Sequence, residues 1–331
     1  MLGAHFEDEI HAQPEVWLRL ARSNKARELA ESIGHRDVLL VGSGSSLFVA
    51  QLGALALRRR GIRASALAAS EAPFDNAAYR NAVIVALSQS GQSADLLDAL
   101  ATLEPVRLIA LTNSPQSALA ARADRCIDVE AGPEAAVPAS KSVSAMAALL
   151  LWAAALCGGT ASRNAQTLAQ TAGDVRAWLA SRAVADLTAA ALELARCRSV
   201  VVAGTGYALP ISYEIALKIK EASYVHAEGF ASGEFRHGSA AILDDATGLI
   251  GIVDEASRGT VSRPLAEALK TRSARYVIGA RIEGINLLGP IVDEAFNTLA
   301  WLVTGQMLAL AIGRARGVDS DAPRGLTKFL G

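Results

Sequence analysis

The chain has 331 residues, 51% of them hydrophobic, with 32 basic and 33 acidic side chains and a formal net charge of −1. That length suits two domains with sizeable cores, and the balance of charge excludes the clustered positive surface that nucleic-acid backbones require. Cys126, Cys157 and Cys197 are odd in number, far apart and without nearby histidines, which favours neither a disulfide scaffold nor zinc and fits a reduced, cytoplasmic setting.

Residues 1–35 are predicted to be helical, too acidic and polar at the start (MLGAHFEDEI) for a signal peptide, with Pro14 opening a helix through Val16, Leu18 and Leu20. A short apolar strand at 37–41 runs into Gly42-Ser43-Gly44-Ser45-Ser46, and the helix that follows ends at Gly61. Arg58, Arg59 and Arg60 close that helix as solvated cations, favoured by its dipole. A strand at 81–87 leads into Ser88-Gln89-Ser90-Gly91-Gln92-Ser93 and a helix carrying Leu96, Leu97 and Leu100. Further strands are predicted at 106–111 and 126–129, then a loop at 131–133 and a long apolar helix at 140–157. This alternation predicts an α/β fold with a parallel sheet covered by helices on both faces. Residues 160–196 read as a polar-sided helical connector.

A second pass begins near Ser199. An offset of 162 aligns DVLLVGSGSS with SVVVAGTGYA, and pairs Leu55 with Leu217 and Leu57 with Ile219. The chain is therefore read as a duplication of domain size, with later strands at 249–253 and 276–279 and a closing helix at 290–313. The apolar stretches 146–157 and 299–312 are too short or too interrupted to span a bilayer; they are predicted to pack in cores or between subunits, and no membrane role follows.

The copies differ at the end of their second predicted strand: Ser-Gln-Ser-Gly in the first, Asp254-Glu255 in the second. Hydroxyls and amide N–H groups at a helix start hold a phosphate, whereas two carboxylates repel one. A phosphate-bearing ligand therefore belongs to the first copy, between the loops 42–46 and 88–93, without a metal. Alternatively, SQSGQS is a serine-rich turn in which Ser93 merely caps the next helix. A Gly-Lys-Ser/Thr phosphate loop is absent, and GSGSS lacks the full dinucleotide fingerprint, so no nucleotide cofactor is implied.

In the second copy a helix is predicted from Pro210, at the first helical position, to about Tyr224. Glu214, Lys218 and Glu221 share one stripe of it at spacings of four and three, and Ile211, Ile215 and Ile219 form the neighbouring stripe, predicted to face the sheet. The stripe is either a solvated ladder of weak ion pairs or, beside a loop holding His226, Glu228, Glu234, Arg236 and His237, a catalytic surface. His226 alone reads as a buried, hydrogen-bonded ring, and Glu228 and Glu234 as loop-stabilising.

The blocks EDEIHAQP (7–14), GSGSS, SQSGQS, AGPEAAVPASKS (131–142), YEIALKIKEASYVHAEGFASGEFRHG (213–238) and DSDAPRGLTK (319–328) together resemble the tandem sugar-isomerase (SIS) family, in particular the isomerase region of glucosamine-6-phosphate synthases. The resemblance implies two SIS domains, each a three-layer αβα unit, arranged as an N-terminal helical segment at 1–35, a first domain at 36–160, a connector at 161–196, a second domain at 197–318 and a tail at 319–331. It implies phosphate binding by Ser45, Ser46, Ser88, Gln89, Ser90 and Ser93, and sugar contacts from Ser43, Val137, Ser140 and Glu214. It further implies proton transfer by Glu221 assisted by Lys218, ring opening by His237 reaching in from the neighbouring copy of a homodimer, and closure by Lys328, with no cofactor or metal. Pro138-Ala139-Ser140 is poorer in hydroxyls than the family segment, and the family's glutaminase is not seen before the first SIS block, so ammonia is not expected to come from glutamine.

The expected reaction is deamination of glucosamine 6-phosphate to fructose 6-phosphate and ammonia. Alternatives are a fructosamine-6-phosphate deglycase, a galactosamine-6-phosphate deaminase, or a non-catalytic sugar-phosphate-binding regulator. The enzymatic readings require that a phosphate anchored by the front half place carbons one and two of the sugar beneath the carboxylate of the back half.

Overall fold

The structure is a computed structural model that describes residues 1–159, 164–182, 184–254, 274–292 and 294–328. The expected boundary at 160–161, Glu255 and the last three residues of the tail lie outside these residues. Two compact units are present. One holds Glu15–Glu134, Lys141–Ala169 and the last described residues, 327–328; the other holds Met1–Pro14, Ala135–Ser140 and Gln170–Leu326.

The first unit carries β1 (Val38–Gly42), β2 (Ala64–Ala68), β3 (Val83–Ser88), β4 (Arg107–Thr112) and β5 (Arg125–Asp128) in the order β2-β1-β3-β4-β5. Every pairing is parallel. β1 and β3 are buried along their whole length, which is why they read as continuous apolar runs rather than alternating ones. Leu39, Val41, Ile84, Ala86 and Ala110 form the core together with Leu96 and Leu119 from the helices. The Ser45–Arg58 and Lys141–Cys157 helices pack against each other. Gly53 permits the contact, since a Cβ there would come within 2.8 Å of Leu150 Cδ1.

The second unit carries β6 (Ser199–Gly204), β7 (His226–Ala231), β8 (Thr247–Ile252), β9 (Arg275–Ile278) and β10 (Asn286–Leu288). Read from β7, its order is β7-β6-β8-β9-β10, again all parallel. This is the topology of the first sheet, and the offset of 162 that aligns β1 with β6 also carries Ala64, the start of β2, onto His226, the start of β7.

Both of these edge strands escape a reading from hydropathy. β2 is Ala-rich and only partly buried, and β7 alternates exposed His226 and Glu228 with buried Ala227. What sequence reads as the start of a crossing loop is thus a strand, and His226 is a solvent-facing edge residue rather than a buried ring. Short β10 has only three residues, exposed at Asn286 and buried at Leu288.

Two prolines also behave differently from expectation. The first helix runs Ala4–Ala21 with Pro14 inside it. Pro14 cannot donate to the Ile10 carbonyl; the neighbouring Gln13 side chain donates to it instead, at 3.3 Å, which allows the helix to continue. The same Gln13 amide donates to Gln306 Oε1 at 2.7 Å. Pro210 is the third residue of the Ala208–Ser223 helix, not the first, still within the turn whose N–H groups lack intrahelical acceptors.

The closing helix runs Asn297–Ala315 and packs against the Ala208–Ser223 helix. Length and composition alone would let it cross a membrane, but 83% of its most apolar window is buried in the fold. The approach of the two helices depends on small residues. A Cβ at Gly305 would sit 2.3 Å from Ile215 Cγ1, and one at Gly313 would sit 2.3 Å from the Ala222 carbonyl oxygen. Ile215 therefore faces the closing helix, not the sheet. The Val184–Leu194 helix, from the segment read as a connector, packs on the same closing helix.

Arg314, near the end of that helix, grips the Glu7 carboxylate through both terminal nitrogens at 2.9 and 2.7 Å. The hydrogen bond from Arg314 holds the Glu7 carboxyl below its ordinary range against the opposing effect of burial. A depressed carboxyl contributes stability above its unfolded value, lost as pH falls through the folded one. Glu7→Gln is therefore expected to lower stability by about 1 kcal/mol at neutral pH. The difference should begin to shrink as pH falls below the ordinary Glu value of about 4.3 and disappear only at lower pH, once Glu7 is protonated in the folded protein; chemical denaturation of both proteins across pH 2–7 checks this.

Candidate active site

The first group of predicted residues lies at the carboxyl ends of the first sheet. β1 and β3 are hydrogen-bonded neighbours, so the loops that follow them, 42–46 and 88–93, emerge side by side. Ser45 and Ser46 open the Ser45–Arg58 helix, partly buried, while Ser43 is exposed.

In the second loop the serines have different duties. Ser88 is buried, and its hydroxyl accepts the Gly91 N–H at 3.0 Å; Ser90 accepts the Gln92 N–H at 3.2 Å. Ser93 occupies the N-cap position of the Ala94–Thr102 helix without a side-chain capping bond, so the purely structural account of that serine fails. The loop is braced from the segment that follows β4, where Asn113 N–H donates to the Gln89 carbonyl at 3.2 Å and Leu119 N–H, in the Ala118–Arg122 helix, donates to the Gly91 carbonyl at 3.0 Å. Gln89 and Ser90 border an open polar cavity of about 660 Å³ together with Asn113, Ser114, Asp128 and Glu134, within the size range of small-molecule sites. A cavity of about 540 Å³ at the amino ends of β9 and β10 is lined by none of the predicted residues.

Gly91 is irreplaceable on two counts. Its φ of +62° is in the left-handed region, and a Cβ would meet Ser117 Oγ at 2.0 Å. Gly91→Ala is expected to cost about 1–3 kcal/mol by overpacking and to weaken competitive inhibition by inorganic phosphate, because the loop must move to relieve the clash. Isothermal denaturation and phosphate inhibition of the variant provide the check.

The second group lies on the Ala208–Ser223 helix. Lys218 is 1% exposed at its side chain, with its Nζ 2.7 Å from Glu221 Oε2 and 3.3 Å from Glu214 Oε1. Burial by itself lowers the Lys218 ammonium; the charges of Glu214 and Glu221 and the hydrogen bonds to them outweigh it, so Lys218 is held above the ordinary lysine range and stays protonated. The stripe is thus not a solvated ladder. Glu214 is 2% exposed at its side chain and Glu221 18%. Glu214, a predicted sugar contact, is all but closed to solvent and faces Lys218; of the three groups Glu221 is the one that opens outward. Tyr224 ends the helix in the left-handed conformation, φ 59°.

The remaining residues are placed separately. His237 is exposed just after the short Ser232–Phe235 helix, its N–H bonded to the Glu234 carbonyl at 2.8 Å. Glu228 is an exposed residue of β7, not a loop residue. Ser140 is buried and Val137 partly so, with Val137 N–H donating to the Asp321 carbonyl at 3.1 Å. Lys328 is partly buried near the end of the described chain.

Sequence reasoning missed Glu9 and Asp321, although both stand in blocks that carry the family resemblance, EDEIHAQP and DSDAPRGLTK. Glu9 is buried and accepts the Ala135 N–H and, at 3.3 Å, the Ala136 N–H. Asp321 accepts the first N–H groups of the opening helix. Membership of those blocks was the only signal, since neither acid has a local pattern that marks it.

Comparison with known proteins decides the family. The SIS domain model matches residues 33–156 and 193–278, one match over each sheet. The chain belongs to the SIS domain family. It is 32% identical over 255 residues to the glutamine–fructose-6-phosphate aminotransferase (isomerizing) of Lactiplantibacillus plantarum, covering 73% of this SIS chain and 42% of that protein. It therefore spans less than half the length of that curated relative. Among solved structures, the C-terminal domain of glucosamine-fructose-6-phosphate aminotransferase from Francisella tularensis superimposes with a TM-score of 0.82 at 24% identity, covering 96% of this chain and 98% of that one. Glucosamine-6-phosphate deaminase from Thermotoga maritima gives 0.81 at 23% identity, covering 98% and 99%. At these identities the likeness establishes the shared tandem SIS fold.

Proposed function

We propose that this SIS protein is a cytoplasmic amino-sugar phosphate deaminase/isomerase that converts glucosamine 6-phosphate and water to fructose 6-phosphate and ammonia. The observation that carries the reading is the buried, protonated Lys218 between two carboxylates, of which only Glu221 is open. Such a group holds a carboxylate in one orientation while leaving it free to take and return a proton. The end-to-end likeness to a solved protein described as a glucosamine-6-phosphate deaminase supports the substrate.

In the proposed reaction Ser45, Ser46, Ser88, Gln89, Ser90 and Ser93 bind the phosphate through hydroxyls, the side-chain amide and N–H groups. Ser43, Val137, Ser140 and Glu214 contact the sugar. His237, contributed by the other copy of a homodimer, takes the proton of the anomeric hydroxyl and supplies one to the ring oxygen, giving an aldehyde at C1 beside the amine at C2. Lys328 assists this opening.

Glu221 then removes the proton on C2, forming an enolamine, and returns a proton to C1, leaving an imine at C2. Water adds to that imine, and ammonia leaves as the ketone forms. Lys218 holds the Glu221 carboxylate in one orientation, aimed between the two carbons, and Glu214 balances Lys218.

The test is to incubate the purified protein with glucosamine 6-phosphate and assay ammonia and fructose 6-phosphate together. Equal amounts of the two are expected; formation of neither overturns the proposal. Parallel reactions with galactosamine 6-phosphate and a fructosamine 6-phosphate separate the deaminase from its epimer-specific and deglycase alternatives. Phosphosugar binding without turnover of any of them would identify a regulator.

A further inference from the structure

A single residue near the end of the chain, Asp321, ties together segments that are far apart in sequence, one through its carboxylate and one through its backbone carbonyl. Asp321 Oδ1 accepts the Phe6 N–H at 2.8 Å and Oδ2 accepts the His5 N–H at 3.0 Å. These are two of the first-turn donors of the Ala4–Ala21 helix that no intrahelical carbonyl can satisfy. Asp321 N–H donates in turn to Asp319 Oδ1 at 3.1 Å, and the same oxygen accepts the Gly3 N–H at 2.9 Å. The cap of the first helix is thus supplied by the opposite end of the chain.

The Asp321 carbonyl reaches a third segment. It accepts the Val137 N–H at 3.1 Å, while Glu9, on the helix that Asp321 caps, accepts the N–H groups of Ala135 and Ala136. Three consecutive amides of the 135–140 loop are therefore tied down from two directions. Buried amide donors left unpaired are costly, so the loop keeps this shape only while both anchors hold.

The tail around Asp321 is itself fixed to the end of the helix that bears Glu221. Ser320 Oγ donates to the Ala222 carbonyl at 3.2 Å, Arg324 N–H donates to the Tyr224 hydroxyl at 2.6 Å, and the Arg324 guanidinium lies 4.3 Å from the Tyr224 ring centroid. Movement at 319–324 would thus be felt at the loop, at the first helix and beside Tyr224.

We infer that Asp321 is a positioning residue that clasps the opening helix and the 135–140 loop, so that the sugar-contacting residues of that loop are set by the N-terminal segment and the tail together. The inference rests on the proposed function only for Val137 and Ser140 as sugar contacts. None of the hydrogen bonds that form the clasp involves a residue of the serine loops.

Asp321→Ala is expected to raise KM for glucosamine 6-phosphate by about tenfold, the equivalent of ~1.4 kcal/mol. The inhibition constant of inorganic phosphate, which reads the serine loops alone, should stay within twofold. Hydrogen exchange of the Val137 amide should accelerate, and Asp321→Asn, which keeps one acceptor oxygen, should give intermediate values of both. An unchanged KM and unchanged Val137 exchange in a folded Asp321→Ala protein would overturn the inference, as would equal losses in sugar and phosphate affinity. If Asp321→Ala does not fold, KM, phosphate inhibition and Val137 exchange are measured on Asp321→Asn, where the same results support or overturn the clasp. Should the wild-type protein turn over no glucosamine 6-phosphate, the proposed function fails, and Val137 exchange then decides the clasp by itself.

Discussion

Glu221→Gln is expected to reduce kcat/KM for glucosamine 6-phosphate by about 10²–10⁴-fold, the range that a positioned general base contributes. The substitution is nearly isosteric, and the amide oxygen can still accept the Lys218 hydrogen bond now made at 2.7 Å. Only the ability to take a proton from C2 and return it to C1 is lost. Melting temperature and phosphate inhibition should therefore match those of the wild-type protein, and the loss should fall on kcat. A Glu221→Gln protein with full turnover would remove Glu221 from the mechanism.

Lys218→Met carries the largest expected stability effect. A carboxylate in the last turn lies toward the negative end of the helix dipole, as Glu221 does at the end of Ala208–Ser223, and Glu214 is buried two turns below. Both depend on the same ammonium. Removing one partner of a buried ion pair costs about 3–5 kcal/mol, because the other charge loses that counterion in a place closed to water. The double variant Glu214→Gln/Lys218→Met should recover most of the loss. Denaturant titrations of the wild-type, single and double variants give the coupling, and additive effects would show that Lys218 and Glu214 do not act as a pair.

Much of the fold can be read in the chain before any coordinates. The central strands are legible because a parallel strand buried on both faces is an unbroken apolar run, as in VLLVG and VIVALS. The duplication is legible because β1 and β6 retain the same run and the same glycine turn. The edge strands β2 and β7 are not. β2 is Ala-rich and only partly buried, and β7 exposes His226 and Glu228, which look like loop residues although they pair in register with Ser199 and Val201. The helix through Pro14 is hidden for a different reason: its missing donor is replaced by the Gln13 side chain, an exchange no local propensity describes.

The site divides along the same line. By itself the sequence determined the two serine loops and the stripe of Glu214, Lys218 and Glu221, because strand-turn-helix order and helical spacing are local properties of the chain. Whether that stripe met water or the interior depended on what packed over it, and a close approach between helices separated by most of a domain is set by side-chain volumes such as Gly305 against Ile215. Tertiary structure alone decided that Lys218 is buried and charged, that Glu214 is its counterion, and that Asp321 caps a helix at the other end of the chain. Each depends on desolvation and hydrogen bonding between residues that only folding brings together.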